Sequence, residues 1–180
     1  KAISDSAQLE VSFDGHYLAG VLGGEAIVWD TETGKEVVRH AVGADGGQVQ
    51  FSASSDRLVV SHGRITEVLD IASGKVRRLR SAPAIWPGRM SWNTTGTHLT
   101  IAELFIPAPR FGDGANRLVR IDVASDTTTV EPLPADMLPD AGPVGSPNGT
   151  FLALVIDGAL WLASTRPDGS LTGQLQLLLD

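Results

Sequence analysis

The stretch "IVWDTETGKEV", Ile27 to Val37, runs three strand-forming residues into Trp29-Asp30, crosses a polar loop closed by Gly34, and re-enters an apolar segment. Its frame returns at "VLDIASGKV" (Val68 to Val76), where Asp70 follows Asp30 by 40 residues and Gly74 follows Gly34 by the same 40. A third copy, "VRIDVASDTTTV", puts Asp122 in the place of Asp70 and Asp126 in the place of the glycine. A fourth, "LWLASTRPDGSL", keeps Trp161 where Trp29 stood and has Gly169 near the turn. The stretch is therefore one unit of a repeat, and a repeat with a fixed period decides the architecture before any single motif does.

Upstream of each copy lies a second recurring element, a turn followed by an apolar strand. These are "FDGHYLAGV", "FSASSDRLVV", "WNTTGTHLTI" and "GSPNGTFLALV", whose aligned leucines, Leu18, Leu58, Leu99 and Leu152, are spaced by 40, 41 and 53 residues. Gly and Asn or Asp in the turns supply the positive φ that tight hairpins demand, and the flanking runs are rich in Val, Ile, Leu and Thr. No segment holds a helical period. The expected class is all-β.

A period near 40 residues with four short strands in each unit is the pattern of β-propeller blades, and the chain resembles the WD40-like and TolB-like propeller repeats. The residues that carry the resemblance are Trp29-Asp30 with Thr33-Gly34, Asp70 with Ser73-Gly74, Asp122, and Ser146-Pro147-Asn148-Gly149. The family's Gly-His dipeptide is absent and its Trp-Asp pair is intact once, so apolar packing is expected to hold the blades together. The resemblance implies a single propeller segment over residues 1–180, with four-stranded antiparallel blades at about 9–40, 48–81, 89–132 and 142–180. In that frame Ile27 to Val37 is the third strand, the turn and the fourth strand of the first blade. Four blades fall short of the six to eight that the family's rings hold, so the segment is expected to be part of a larger or oligomer-completed ring. The strand-like "QLQLLLD" (Gln174 to Asp180) favours further blades elsewhere in the native polypeptide, and a second copy of the chain is the other way to complete the circle.

Composition narrows the partners. The 180 residues carry 21 acidic and 14 basic side chains, a net charge of −7, which argues against nucleic acid or an anionic membrane surface. Lys75, Arg77, Arg78 and Arg80 are expected on the wet side of an outer strand. No apolar run approaches the roughly 18 residues that span a bilayer, so no membrane insertion is expected. Cysteine is absent, which excludes disulfides and thiolate metal sites and leaves the compartment open.

In a meander of strands A to D, the A–B and C–D turns emerge at one end of a blade, and the B–C and D–A connections at the other. The first set is tight and repetitive. The second holds the irregular sequence: "HAVGADGGQ" (His40 to Gln48), "RSAPAIWPGR" (Arg80 to Arg89), "LFIPAPRFGDGANR" (Leu104 to Arg117) and "EPLPADMLPDAGP" (Glu131 to Pro143). Long irregular loops on a rigid scaffold are where binding concentrates, and aromatic residues, Arg and Met anchor interfaces. Trp86, Phe105, Arg110, Phe111, Asp113 and Met137 are the expected partner-binding residues.

Catalytic motifs are missing. There is no G-x-S-x-G, H-E-x-x-H, P-loop or C-x-x-C, and Gly112-Asp113-Gly114 is followed by Arg117 where a phosphate-binding loop needs glycine. Asp113 and Asn116 offer calcium two ligands of the six to eight it takes. Of the four histidines, His16 and His98 fall beside A–B turns, while His40 and His62 fall toward the opposite end. No catalytic residue, metal or cofactor is expected. The expected function is a non-catalytic propeller scaffold that binds a protein partner or senses a ligand. The alternative, suggested by the likeness of "SPNGTFLALV" to prolyl oligopeptidases, is the gating propeller of a hydrolase whose catalytic domain is not in this chain.

Overall fold

A computed structural model of the chain describes residues 9–43, 47–63, 65–79, 90–103, 117–132, 139–146, 150–156, 158–168, 170–173 and 175–179. Every regular element among the described residues is a strand. No helix there is long and apolar enough to cross a membrane. The chain divides into two compact units, Lys1–Arg80 and Ser81–Asp180.

The first unit contains two four-stranded antiparallel sheets, each an uninterrupted meander. One is β1 (Leu9–Val11), β2 (Tyr17–Leu22), β3 (Glu25–Asp30) and β4 (Glu36–Ala41); the other is β5 (Gln48–Phe51), β6 (Arg57–His62), β7 (Ile65–Asp70) and β8 (Val76–Leu79). The second unit repeats the plan. Its sheets are β9 (Met90–Trp92), β10 (His98–Glu103), β11 (Arg117–Asp122) and β12 (Thr127–Pro132), then β13 (Pro139–Gly145), β14 (Phe151–Ile156), β15 (Ala159–Ser164) and β16 (Gln176–Leu179). Ile27 to Val37 forms most of β3, the turn and the start of β4, as its repeat pattern requires.

Register makes the four sheets superimposable in sequence. The aligned leucines meet equivalent partners on the first strand: Val11 pairs with Leu18, Phe51 with Leu58, Trp92 with Leu99 and Gly145 with Leu152. Because side chains alternate across a strand, this shared register assigns the positions around the leucines to one of two faces.

In each unit the core lies between the two sheets. Ala19, Val21, Val28 and Val38 of the first sheet close on Val49, Phe51, Leu58, Val60 and Leu69 of the second, and Tyr17 stacks on Phe51 with ring centroids 6.5 Å apart. In the second unit Leu118 meets Leu152, Leu154 and Ile156, with Trp161, Leu171 and Leu175 packed around them. Full burial of each such aliphatic side chain contributes about 1.5–3 kcal/mol, so these joints dominate the stability of either unit. Three residues of the basic cluster lie as expected for an outer strand: Lys75, Arg77 and Arg78 are exposed on or beside β8, while Arg80 lies outside the described residues.

One polar contact recurs inside the apolar joints. Glu10 on β1 accepts a hydrogen bond from the Phe51 amide at 3.1 Å, and Ser91 Oγ on β9 accepts one from the Gly145 amide at 2.8 Å. Glu10 and Ser91 hold equivalent register positions, as do Phe51 and Gly145. Burial pushes the Glu10 carboxyl up to about 7, against the smaller opposing effect of the Phe51 hydrogen bond. A folded-state pKa above the ordinary 4.5 means that Glu10 favours folding fully below pH 4.5 and loses that contribution as pH rises through 7. Glu10→Gln keeps the acceptor and removes the charge. It is expected to match the native protein near pH 4.5 and to exceed its stability at pH 8 by about 1–2 kcal/mol, a range reduced for the part of the side chain that stays wet. Urea denaturation at the two pH values checks this, and equal midpoints at pH 8 would contradict it.

Candidate interaction face

The two ends of the sheets differ in how their backbone is committed. At the A–B and C–D end, one side chain closes each A–B turn: Ser12 Oγ accepts the Tyr17 amide at 2.8 Å, Ser52 Oγ that of Arg57 at 3.1 Å, Asn93 Oδ1 that of His98 at 2.8 Å and Ser146 Oγ that of Phe151 at 3.0 Å. The C–D turns are held by aspartates. Asp30, Asp70 and Asp122 accept from the amides of Thr33, Ser73 and Ser125 at 2.7, 2.8 and 2.8 Å, as Asx turns do. Hydrogen bonds to Thr33, Ser73 and Ser125 hold these three carboxyls below the ordinary aspartate value. Gly34 and Gly74 then take φ of 66° and 67°, and Asp126, the residue that replaces the glycine, takes 57°. Asp tolerates this left-handed region better than most residues, which explains how the third copy does without glycine.

The two kinds of turn are also tied to each other. The amides of Thr31, Ile71, Val123 and Thr165 donate to the carbonyls of His16, Asp56, Thr97 and Thr150 at 2.8–3.0 Å. Asp14 N donates to Ser55 Oγ at 3.2 Å across the first unit, and Asn93 Nδ2 to the Pro167 carbonyl at 2.8 Å across the second. This end is a stiff frame that spends its polar groups on itself.

The opposite end carries the B–C and D–A connections. In the first sheet Gly23 and Gly24, with φ of 61° and 84°, make the B–C hairpin, and the Gly24 carbonyl receives the amides of Val42 at 2.8 Å and Gly43 at 3.1 Å as the chain leaves β4. The six residues expected to bind a partner, Trp86, Phe105, Arg110, Phe111, Asp113 and Met137, all lie outside the described residues.

Described residues at this end form a cluster that sequence reasoning did not assemble. His40 Nε2 lies 2.7 Å and His62 Nε2 3.2 Å from the same oxygen, Oε2 of Glu67. His40 comes from β4 of the first sheet, while His62 and Glu67 come from β6 and β7 of the second, so the carboxylate clasps the two sheets. Burial pushes Glu67 up, but the hydrogen bonds to His40 and His62 outweigh it and leave the carboxyl below its ordinary value. Gly47 lies against this cluster, where a Cβ would come 2.8 Å from the Ser61 carbonyl and 3.3 Å from His62 Cβ. The other two histidines are elsewhere: His16 beside the first A–B turn, and His98 in the second unit, with Nε2 3.6 Å from Asp122 Oδ2. Among the described residues no group of three His, Cys, Asp or Glu side chains is arranged to hold a metal ion. Both imidazoles address one carboxylate oxygen, an arrangement suited to fixing sheet on sheet. The signal in the sequence was the placement of His40 and His62 at the same end; nothing local marked Glu67.

No family model matches the chain, and no curated protein does. Solved structures do resemble it. A putative TolB from Agrobacterium tumefaciens is 16% identical, with a TM-score of 0.68 over 97% of this chain and 61% of that one. The β-propeller domain of Cps50 (Swd1) from Myceliophteria thermophila is 19% identical, with a TM-score of 0.62 over 87% of this chain and 51% of the domain. Kuenenia stuttgartiensis hydrazine synthase is 19% identical, with a TM-score of 0.58 and the same coverage, 87% and 51%. The chain thus spans between half and two thirds of the length of these structures. Together with the four meander sheets, the likeness gives the fold: an all-β chain of four-stranded propeller blades.

The clasp has a measurable consequence. Glu67→Gln removes the anion that both imidazoles share and is expected to cost about 1–2 kcal/mol at pH 7, the roughly 1.5–3 kcal/mol of a hydrogen bond to a charged group reduced for the screening of a partly wet carboxylate. Because the Glu67 pKa lies below 4.5, its contribution is present above that pH and is lost as pH falls through the folded value. The gap between variant and native protein in urea therefore narrows in strong acid, and a gap that persists unchanged there would refute the assignment.

Proposed function

We propose that this chain is a non-catalytic propeller scaffold that binds a protein partner or senses a ligand through the B–C and D–A loops. The observation that carries this reading is the asymmetry between the ends of the sheets. At one end, the turn residues from Ser12 to Ser146 and from Asp30 to Asp122 are consumed by repeated internal hydrogen bonds. The B–C and D–A connections, as the repeats lay them out in the sequence, include its four longest irregular stretches, with their aromatic residues, Arg and Met.

In this reading Trp86, Phe105, Arg110, Phe111, Asp113 and Met137 make the contacts, with Arg110 and Phe111, set between Pro109 and Gly112 in the sequence, the foremost of them. The acidic balance of the chain, −7 overall, fits a partner other than nucleic acid. The neighbours' propellers support a scaffold of this kind, since the same fold recurs among them with identities of 16–19%.

Removing Pro107 to Ala115 is expected to abolish capture of partners that the native chain retains from its host's extract, while thermal unfolding stays nearly unchanged. Arg110→Ala with Phe111→Ala is expected to weaken the same capture at least tenfold, the loss of one or two anchor residues at an interface. Capture that survives both changes would overturn the reading.

A further inference from the structure

The fourth strand closes the order of each sheet, so β4, β8, β12 and β16 are edges. Half of an edge strand's amides and carbonyls point away from its sheet, where a further strand can take them, and the side chains decide which strand is admitted. The four edges differ in charge. On β4, Arg39 is held by Glu25 and Glu36, so its charge is spent within the sheet. On β12, Thr127, Thr128, Thr129 and Val130 are exposed and uncharged, and Glu131 pairs with Arg120 at 3.3 Å. β16 carries no charged residue.

The edge at β8 is cationic. Lys75, Arg77 and Arg78 are all exposed, and Val76 among them is 37% exposed. Register sets Arg78 across from Glu67, but Oε2 of Glu67 is already shared by His40 Nε2 at 2.7 Å and His62 Nε2 at 3.2 Å. Among the described residues neither Lys75 nor Arg78 makes an ion pair. Like charges this close repel one another, and carboxylates brought by a ligand would relieve them. The concentration of positive charge is local, in a chain whose net charge is −7.

We propose that β8 receives a fifth strand from an acidic, extended segment of a partner protein. Consecutive residues of an added strand stand opposite consecutive residues of β8, so Lys75-Val76-Arg77-Arg78 sets the pattern that fits. From the Lys75 end it reads a carboxylate, an apolar residue and two further carboxylates. The two adjacent carboxylates fall on opposite faces of the sheet, as Arg77 and Arg78 do, and the apolar residue covers Val76. Main-chain hydrogen bonds supply the affinity and the charges the choice of partner. Another β8 cannot serve as the added strand, since it would bring the same charges.

A fluorescent synthetic peptide centred on Glu-Glu-Val-Glu, the antiparallel match, is titrated into the 180-residue chain at low salt with anisotropy as the readout. The result is independent of the loop deletion above. Saturable binding is expected, together with new protection of β8 amides against hydrogen exchange. The peptide with Lys in place of each Glu is expected not to bind. N-methylation of alternate amides, in one of the two possible sets, is expected to weaken binding by roughly tenfold or more, because a methylated amide cannot donate to the edge. Arg77→Gln with Arg78→Gln changes exposed side chains, so the native circular dichroism is expected to persist while affinity falls by roughly tenfold or more. Absence of saturable binding overturns the proposal. So does binding that ignores N-methylation in both sets, which would be charge attraction alone, and so does equally tight binding of a single-stranded oligonucleotide of the same charge.

Discussion

Face-to-face burial of one four-stranded sheet against the next is the constraint on which this chain depends. A lone meander sheet has two faces and cannot satisfy both with its own side chains. Each sheet therefore packs an apolar face on its neighbour within the unit, and the sequence repeats because the requirement repeats. The apolar cluster around Val28, Leu58 and Leu69 in the first unit and that around Leu152 and Leu154 in the second meet this requirement. Directional contacts inside the joints are few. The Glu10 and Ser91 acceptors and the Glu67 clasp fix how the sheets sit once burial has brought them together.

Rigidity is unevenly shared along the strands. At one end, a serine or asparagine after the first strand and an aspartate after the third turn the chain by the same hydrogen bonds in successive sheets. The polar groups there face inward to the turn, which leaves little for a ligand. The other end has the glycine hairpin of Gly23 and Gly24, and the sequence assigns to it the long connections of irregular composition. A scaffold built this way holds its loops at one end by stiffening the other.

Much of this was legible in the sequence because the signals are local. Gly34 and Gly74 mark a left-handed turn, the aspartates four residues before them mark the Asx acceptor, and the leucine spacing counts the sheets. Asp126 preserved the turn while changing the letter, so the third copy was visible through its aspartate at 122. What was not legible depends on neighbours distant in the chain. Glu67 meets His40 across 27 residues, and Glu10 meets the Phe51 amide across 41. Periodicity places such residues on a strand but does not say what opposes them. The candidate contacts from Trp86 to Met137 lie in the stretches where the repeat is lost, so they rested on residue type and loop position alone.

At one register position the first, third and fourth sheets carry a carboxyl, a hydroxyl and an isopropyl group: Glu10, Ser91 and Val144. Backbone pairing at this position is blind to the difference, since Glu10, Ser91 and Val144 pair in turn with Ala19, Thr100 and Ala153 on the second strand. The seams between neighbours are not. The joint inside each unit thereby carries its own label, and a polypeptide with two of its repeats exchanged in order would set an ionisable group against the wrong surface. The order of the units is written in the seams.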